Sequence, residues 1–247
     1  MRLYKLQHQG TKNDAALQLS YAYSMGSSHS IRSIVKDAEC KMIRHKLLHH
    51  TRDNRTIMQT VNQLLRENDF ETDEHCERLE SLICRFAQRV GMPPSSLVDL
   101  KLLAKFHDIG KVGITDQILS KPSHLTPEEW DIMKSHSEIG CRIAYASADL
   151  LPIANLILKH HEWWNGKGYP LGLEREFIPI ECRLLAIVDG YDAMISDRPY
   201  RKGMSSQAAL DELTRCAGLQ YDPFLTNIFV GMIENSERVN IFASAGD

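Results

Sequence analysis

The sequence predicts an all-α fold: a bundle of about seven helices, preceded by a long connector helix and one N-terminal strand. Three observations predict it. From Thr72 onward, apolar residues recur at three- and four-residue spacing, as one face of a helix requires. Proline, glycine and capping residues punctuate that pattern at helix-length intervals. No segment after residue 25 shows the alternation of a second strand. The length of 247 residues, 43% of them hydrophobic, suits one sizeable domain with an appendage or two small domains.

In chain order, residues 1–27 form the first segment. Residues 15–23, AALQLSYAY, alternate apolar and polar and end at a Met-Gly-Ser-Ser turn. A lone strand has nothing to pair with, so it must dock on the body, pair with another chain or be the tail of something larger. Residues 28–68 form the connector. Ile31, Val35, Ala38 and Met42 follow a helical spacing that Ile57, Val61, Leu64 and Leu65 resume, which suits a connector or dimerising helix.

Residues 69–247 form the bundle. His75, Leu79, Leu82, Ile83, Phe86 and Val90 share one stripe closed by Gly91. Leu97 to His107 is the next helix, broken by the glycines of DIGKVGI. Thr126-Pro-Glu-Glu129 is a capping box with proline at the first helical position, and it opens a third helix. Pro152 to Glu162, Pro179 to about Ser196, Ser206 to Ala217 and Pro223 to Ile233 supply the rest.

Composition excludes some functions. Charged residues make up 25% with a net charge of -3, so bulk nucleic-acid binding is not expected and any anion site must be a local cluster. The six cysteines form no C-x-x-C pair and fall among apolar helical residues, as reduced thiols of a cytoplasmic protein do. No apolar run reaches the length of a membrane span.

The chemistry lies in the histidines and acids. Glu71 and His75 share one helical face. His107 and Asp108 end the second helix, His136 lies in the third, His160 and His161 end the fourth, and Asp189 sits in LLAIVDGYDAM. Asp189 is level with Cys182, Leu185, Ala186 and Ala193, so it is expected to be a buried carboxylate that needs a cation. Five helices thus bring ligands to a common interior, as bundles do when they build metal sites. Imidazole and carboxylate without thiolate suit iron, manganese or zinc better than magnesium. Eight candidate ligands are too many for one ion, and Asp108 is the natural bridge. Neighbouring residues on a helix diverge by about 100°, so His160 and His161 are expected to serve two neighbouring ions. Paired ions are a standard means of hydrolysing phosphate esters. Lys111, Arg198, Arg201 and Lys202 supply cations for a phosphate. The glycines of NGKGYP are expected to let backbone approach a ligand. Trp163 and Trp164 are expected to cover the core, with one of them free to wall the pocket.

HDIGK at 107–111, HHEWWNGKGYP at 160–170 and DGYDAMISDRPYR at 189–201 resemble the HD-GYP phosphodiesterases, a branch of the HD metal-dependent phosphohydrolases. The likeness runs from about Glu71 to Phe229, with Asn165 where many members carry aspartate. It implies an HD-type helical bundle that hydrolyses cyclic di-GMP to the linear pGpG or on to GMP, through a hydroxide bridging two or three divalent ions, iron or manganese first. It implies metal ligation by His75, His107, Asp108, His136, His160, His161 and Asp189, with Glu71 as the extra acid of trinuclear members. It implies Asp108 and Lys111 in catalysis, and substrate contacts from Lys111, Arg198 and Arg201 beside the turn of Gly168, Tyr169 and Pro170. The rival expectations are a module that binds cyclic di-GMP or a partner without turnover, and an HD hydrolase for another cyclic dinucleotide. LQLSYAYSMGSSHSIRSIVKDAECKMIRHKLL resembles the end of a GGDEF domain without its catalytic motif, so no cyclase activity is expected. A homodimer through the connector and a GGDEF-domain partner are the protein contacts this implies.

Overall fold

The computed structural model describes residues 73–197 and 202–244, so the N-terminal strand and the connector helix fall outside the described residues. Among those described, every regular element is helical, and pairing of the β type is limited to the isolated bridges Asn165–Glu174 and Ala217–Tyr221. The all-α expectation holds.

The first apolar stripe becomes α1, Asp73–Arg89. Its Leu79, Ile83 and Phe86 are completely buried, and Gly91 follows in the left-handed conformation that ends a helix. Burying one such side chain is worth about 1.5–3 kcal/mol, so the stripe alone commits α1 to the core. Next come α2, Ser96–Phe106, and a 3-10 turn, Ile109–Gly113. The four-residue α3, Asp116–Leu119, leads to the Thr126 capping box, where both reciprocal hydrogen bonds form.

The predicted third helix is two. α4, Pro127–Lys134, and α5, His136–Tyr145, meet at Ser135, whose N–H and Oγ both bond the carbonyl of Ile132. Satisfying the backbone three residues back tightens the turn and re-aims the helix that starts at His136. α6 is short, Ala154–Lys159, and follows a 3-10 turn at Leu151–Ile153. α7, Ile180–Ile195, and α8, Ser206–Cys216, lie close to their predicted bounds. α9, Pro223–Ser244, outruns its prediction, since no proline or glycine interrupts the chain from Met232 to Ser244.

α1 packs on α2 and α7, while α5 packs on α6 and the Ile109–Gly113 turn. α8 and α9 close the far side of α7. Phe229 of α9 sits edge-on to Phe86 of α1 at 5.1 Å and to Tyr191 of α7 at 5.3 Å, which ties three helices together. Among the described residues no two cysteines are joined by a disulfide.

Candidate metal centre

The centre begins where α2 stops. After Phe106 the chain tightens into the Ile109–Gly113 turn, which lies directly on α5. Gly110 makes this possible: a Cβ there would fall 1.8 Å from the carbonyl oxygen of His136 and 2.5 Å from the nitrogen of Gly140. Any larger residue would push the turn off α5, and the turn is what brings Asp108 to His136.

Three buried imidazoles are oriented alike. Nδ1 of His107, His136 and His160 lies 3.1, 2.8 and 2.6 Å from the carbonyl of Ala104, Met133 and Ile157, in each case three residues back. A carbonyl only accepts, so each Nδ1 carries the hydrogen and each Nε2 of the neutral ring presents a lone pair. Those lone pairs converge on Asp108. Nε2 of His136 and His160 lies 3.1 and 3.7 Å from Oδ1, and that of His107 lies 3.7 Å from Oδ2. Nε2 of His136 and His160 face one another at 3.3 Å. Asp108 Oδ1 is buried and accepts no hydrogen bond.

Acceptors facing acceptors in a dry interior repel unless a cation sits between them. The ligand atoms of Asp108, His136, His160 and His161 all lie within 4.8 Å of one another, which is a fit for a divalent ion. Lys111 reaches back one turn to bond Asp108 Oδ2. Burial alone would raise the Asp108 carboxyl, but the Lys111 charge beside it holds it well below the usual carboxylate range. Burial holds His160 and His161 below the ordinary histidine value.

His160 and His161 do not diverge as helical neighbours would. α6 ends at Lys159, and a tight turn follows in which the N–H of Glu162 bonds the carbonyl of Lys159. The two rings stand 3.9 Å apart and both reach the same cluster.

His75 and Asp189 form a second group. His75 Nε2 lies 3.9 Å from Asp189 Oδ1. Asp189 is not buried as expected: its side chain is 34% exposed and lines the cavity. The buried acid of α7 is Asp192, one turn on and fully enclosed, which the sequence reading missed. It accepts from His75 Nδ1 at 2.7 Å, from Arg78 Nε at 2.7 Å and from Arg78 Nη2 at 3.0 Å. Burial would raise the Asp192 carboxyl, and the bonds from His75 and Arg78 more than reverse that, to about 2. The signal was available: Arg78 lies one turn after His75, as Asp192 does after Asp189. One cavity, lined among others by His107, His160, His161 and Asp189, connects the two groups.

The Gly-Tyr-Pro turn is fastened from behind. Glu162, also missed, is buried, and its two oxygens accept from Leu171 N at 2.6 Å and Leu173 N at 2.9 Å. Gly168 packs against the segment that carries the histidines. Its absent side chain makes room for the chain's own backbone: a Cβ would lie 2.2 Å from Trp163 N and 2.5 Å from Glu162 Cα. Tyr169 precedes Pro170 through a cis peptide and lays its ring on His161 at 4.8 Å. Burial and the charge of Asp108 push its phenol upward. The two tryptophans part company. Trp164 lies beneath the Arg183 guanidinium at 5.8 Å, while Trp163 lines the cavity.

Glu71, Arg198 and Arg201 lie outside the described residues. The flanks of the arginine segment are fixed. Asp197 accepts from Gly203 N at 2.8 Å and from Lys202 Nζ at 2.7 Å, and Met204 N bonds Met194 O at 2.8 Å. Lys202 is thereby paired at the surface.

A profile of the HD domain family matches residues 58–225. The chain is 40% identical over 176 residues to a cyclic di-GMP phosphodiesterase of Thermotoga maritima, covering 70% of this chain and 48% of the relative. It is 36% identical over 162 residues to the 3'3'-cGAMP-specific phosphodiesterase 2 of Vibrio cholerae, covering 65% and 31%. The chain spans about half or less of the length of the curated relatives it matches. Among solved structures, the HDG"Y"P protein Bd1817 of Bdellovibrio bacteriovorus shares the fold with a TM-score of 0.53 at 16% identity, over 82% of this chain and 72% of that one.

Proposed function

The chain belongs to the HD domain family, and from that premise we propose that it is a metal-dependent phosphodiesterase that hydrolyses cyclic di-GMP to pGpG and on to GMP. The observation that carries the reading is the ring of imidazole lone pairs around a buried Asp108 oxygen that no donor satisfies. His107, Asp108, His136, His160 and His161 would hold divalent metal on one side of the cavity, and His75 and Asp189 on the other, with Glu71 as an added acid. That is room for two or three ions, iron or manganese first. Bound there, such ions lower the pKa of water and neutralise phosphate charge.

The protein's own groups do the rest. The carbonyls of Ala104, Met133 and Ile157 hold three imidazoles in the ligating tautomer, so no reorganisation is needed when substrate arrives. Asp192 does the same for His75. Lys111 keeps a positive charge beside Asp108, at the place where a phosphoryl oxygen gains negative charge. Arg198 and Arg201, on the segment after α7, grip the second phosphate bidentately. Tyr169 closes the wall beside His161 and limits the water that enters.

The bundle forms the catalytic unit from residue 69 onward. The connector of residues 28–68 brings two copies together, and a GGDEF domain is the protein partner. A second reading, hydrolysis of another cyclic dinucleotide, is favoured by the cGAMP-specific name of one relative. The test is a product time course with manganese- or iron-loaded protein on cyclic di-GMP and 3'3'-cGAMP, beside elemental analysis. Turnover of cyclic di-GMP with at least twofold preference is expected. Bound metal without turnover of either compound leaves only a binding module.

A further inference from the structure

One wall of the cavity is formed by Trp163 and Gln220. Trp163 stands on it, two residues after His161, with 37% of its surface exposed. An indole normally gains by full burial, and Trp164 beside it packs on Arg183. Trp163 is not loose. Its carbonyl accepts from Gly166 N at 2.8 Å, and Gly168 is packed so closely on its nitrogen that no Cβ fits between them. Backbone bonds from Trp164 N to Gln220 O at 3.0 Å and from Asn165 N to Leu219 O at 2.9 Å then draw residues 219–220 alongside. Gln220 thereby lines the same cavity as Trp163, His160, His161 and Asp189.

We propose that Trp163 and Gln220 form a nucleobase seat, with the indole stacked on a guanine and the Gln220 amide bonded to its edge. The inference rests on the phosphodiesterase reading of the same cavity. With the phosphate held at the histidine end, the attached base must extend along the remaining wall. An aromatic face with an adjacent amide matches what a base presents: a π-surface and an edge of mixed donors and acceptors. A rigid indole also loses little freedom on stacking.

The test is calorimetric titration of metal-loaded protein with GMP and with ribose 5-phosphate, which carries the phosphate but no base. Stacking is worth enough that GMP should bind at least about fivefold more tightly than ribose 5-phosphate. GMP should also quench tryptophan fluorescence. Trp163→Leu should bring the two affinities close to equality and abolish most of the quench, while Trp163→Phe should keep most of the preference. Trp163 is partly exposed, and the Phe variant retains a ring in the same place, so one of the two is expected to fold. A preference that survives Trp163→Leu overturns the seat, as does equal binding of the two compounds by the unmutated protein. Binding of neither overturns the seat and the phosphodiesterase reading together.

Discussion

Each imidazole in the centre is aimed by what its far nitrogen touches. His107, His136 and His160 use neutral carbonyls, whereas His75 uses a carboxylate that Arg78 anchors. Partners of this kind typically change metal affinity by about 10–100-fold when removed. Asp192→Asn keeps the shape and loses the charge. It is expected to weaken binding of the His75-side ion by that factor while the Asp108-side ion stays, as read by elemental analysis after graded chelation. The pH dependence of the metal-free protein follows from His160 and His161, both held below the ordinary value by burial. Above about pH 6.5 neither state binds the proton and stability is flat. Below it, the unfolded chain takes up protons that the folded chain refuses, so stability falls. Urea unfolding of chelated protein should show a lower midpoint at pH 6 than at pH 8.

At the scale of elements, two joints fix the geometry. The Ile109–Gly113 turn rests on α5 through Gly110, with only backbone opposite it. Gly110→Ala therefore cannot be absorbed by a side-chain rotation. Overpacking of this kind costs about 1–3 kcal/mol or more, equivalent to a melting shift of about 2–4 °C per kcal/mol in a protein of this size. Metal stoichiometry should fall as well, because Asp108 moves with the turn. The second joint is Glu162, which holds the turn at Leu171 and Leu173. In Glu162→Gln an amide N–H₂ must face a backbone N–H, leaving a buried group unsatisfied at about 1–3 kcal/mol. The expected result is a lower melting temperature with metal content retained, since both Glu162 oxygens are taken up by backbone N–H groups.

For the whole molecule, four separate segments, at His107, at His160–Trp163, at Leu185–Gly190 and at Gln220, meet at one cavity, so an ion bound there ties the fold together. A ligand at about 100 times its dissociation constant stabilises by about 2.7 kcal/mol. Addition of manganese to chelated protein should raise the melting temperature, and the rise should vanish in Asp108→Asn. The helices were legible in the sequence because their signals are local: the Thr126 capping box and the Leu79–Ile83–Phe86 stripe need only neighbours within a turn or two. The break at Ser135 was not legible, since it depends on where α5 must aim. Asp189 and Asp192 carry the same local signal, and only the packing of α1 against α7 made one a cavity wall and the other an anchor.

By itself the sequence determined the class of fold and most helix bounds, and it pointed to the residues proposed to bind metal. Periodicity, caps and residue chemistry are properties of a chain read in order. Tertiary structure decided which of those residues share a cavity, which tautomer each histidine adopts, and that the glycines at 110 and 168 serve backbone contacts within the protein. Those outcomes depend on distances between segments far apart in the chain. Only the packing of one helix on another sets such distances, and it also decided that Asp192 and Glu162 were buried for a purpose.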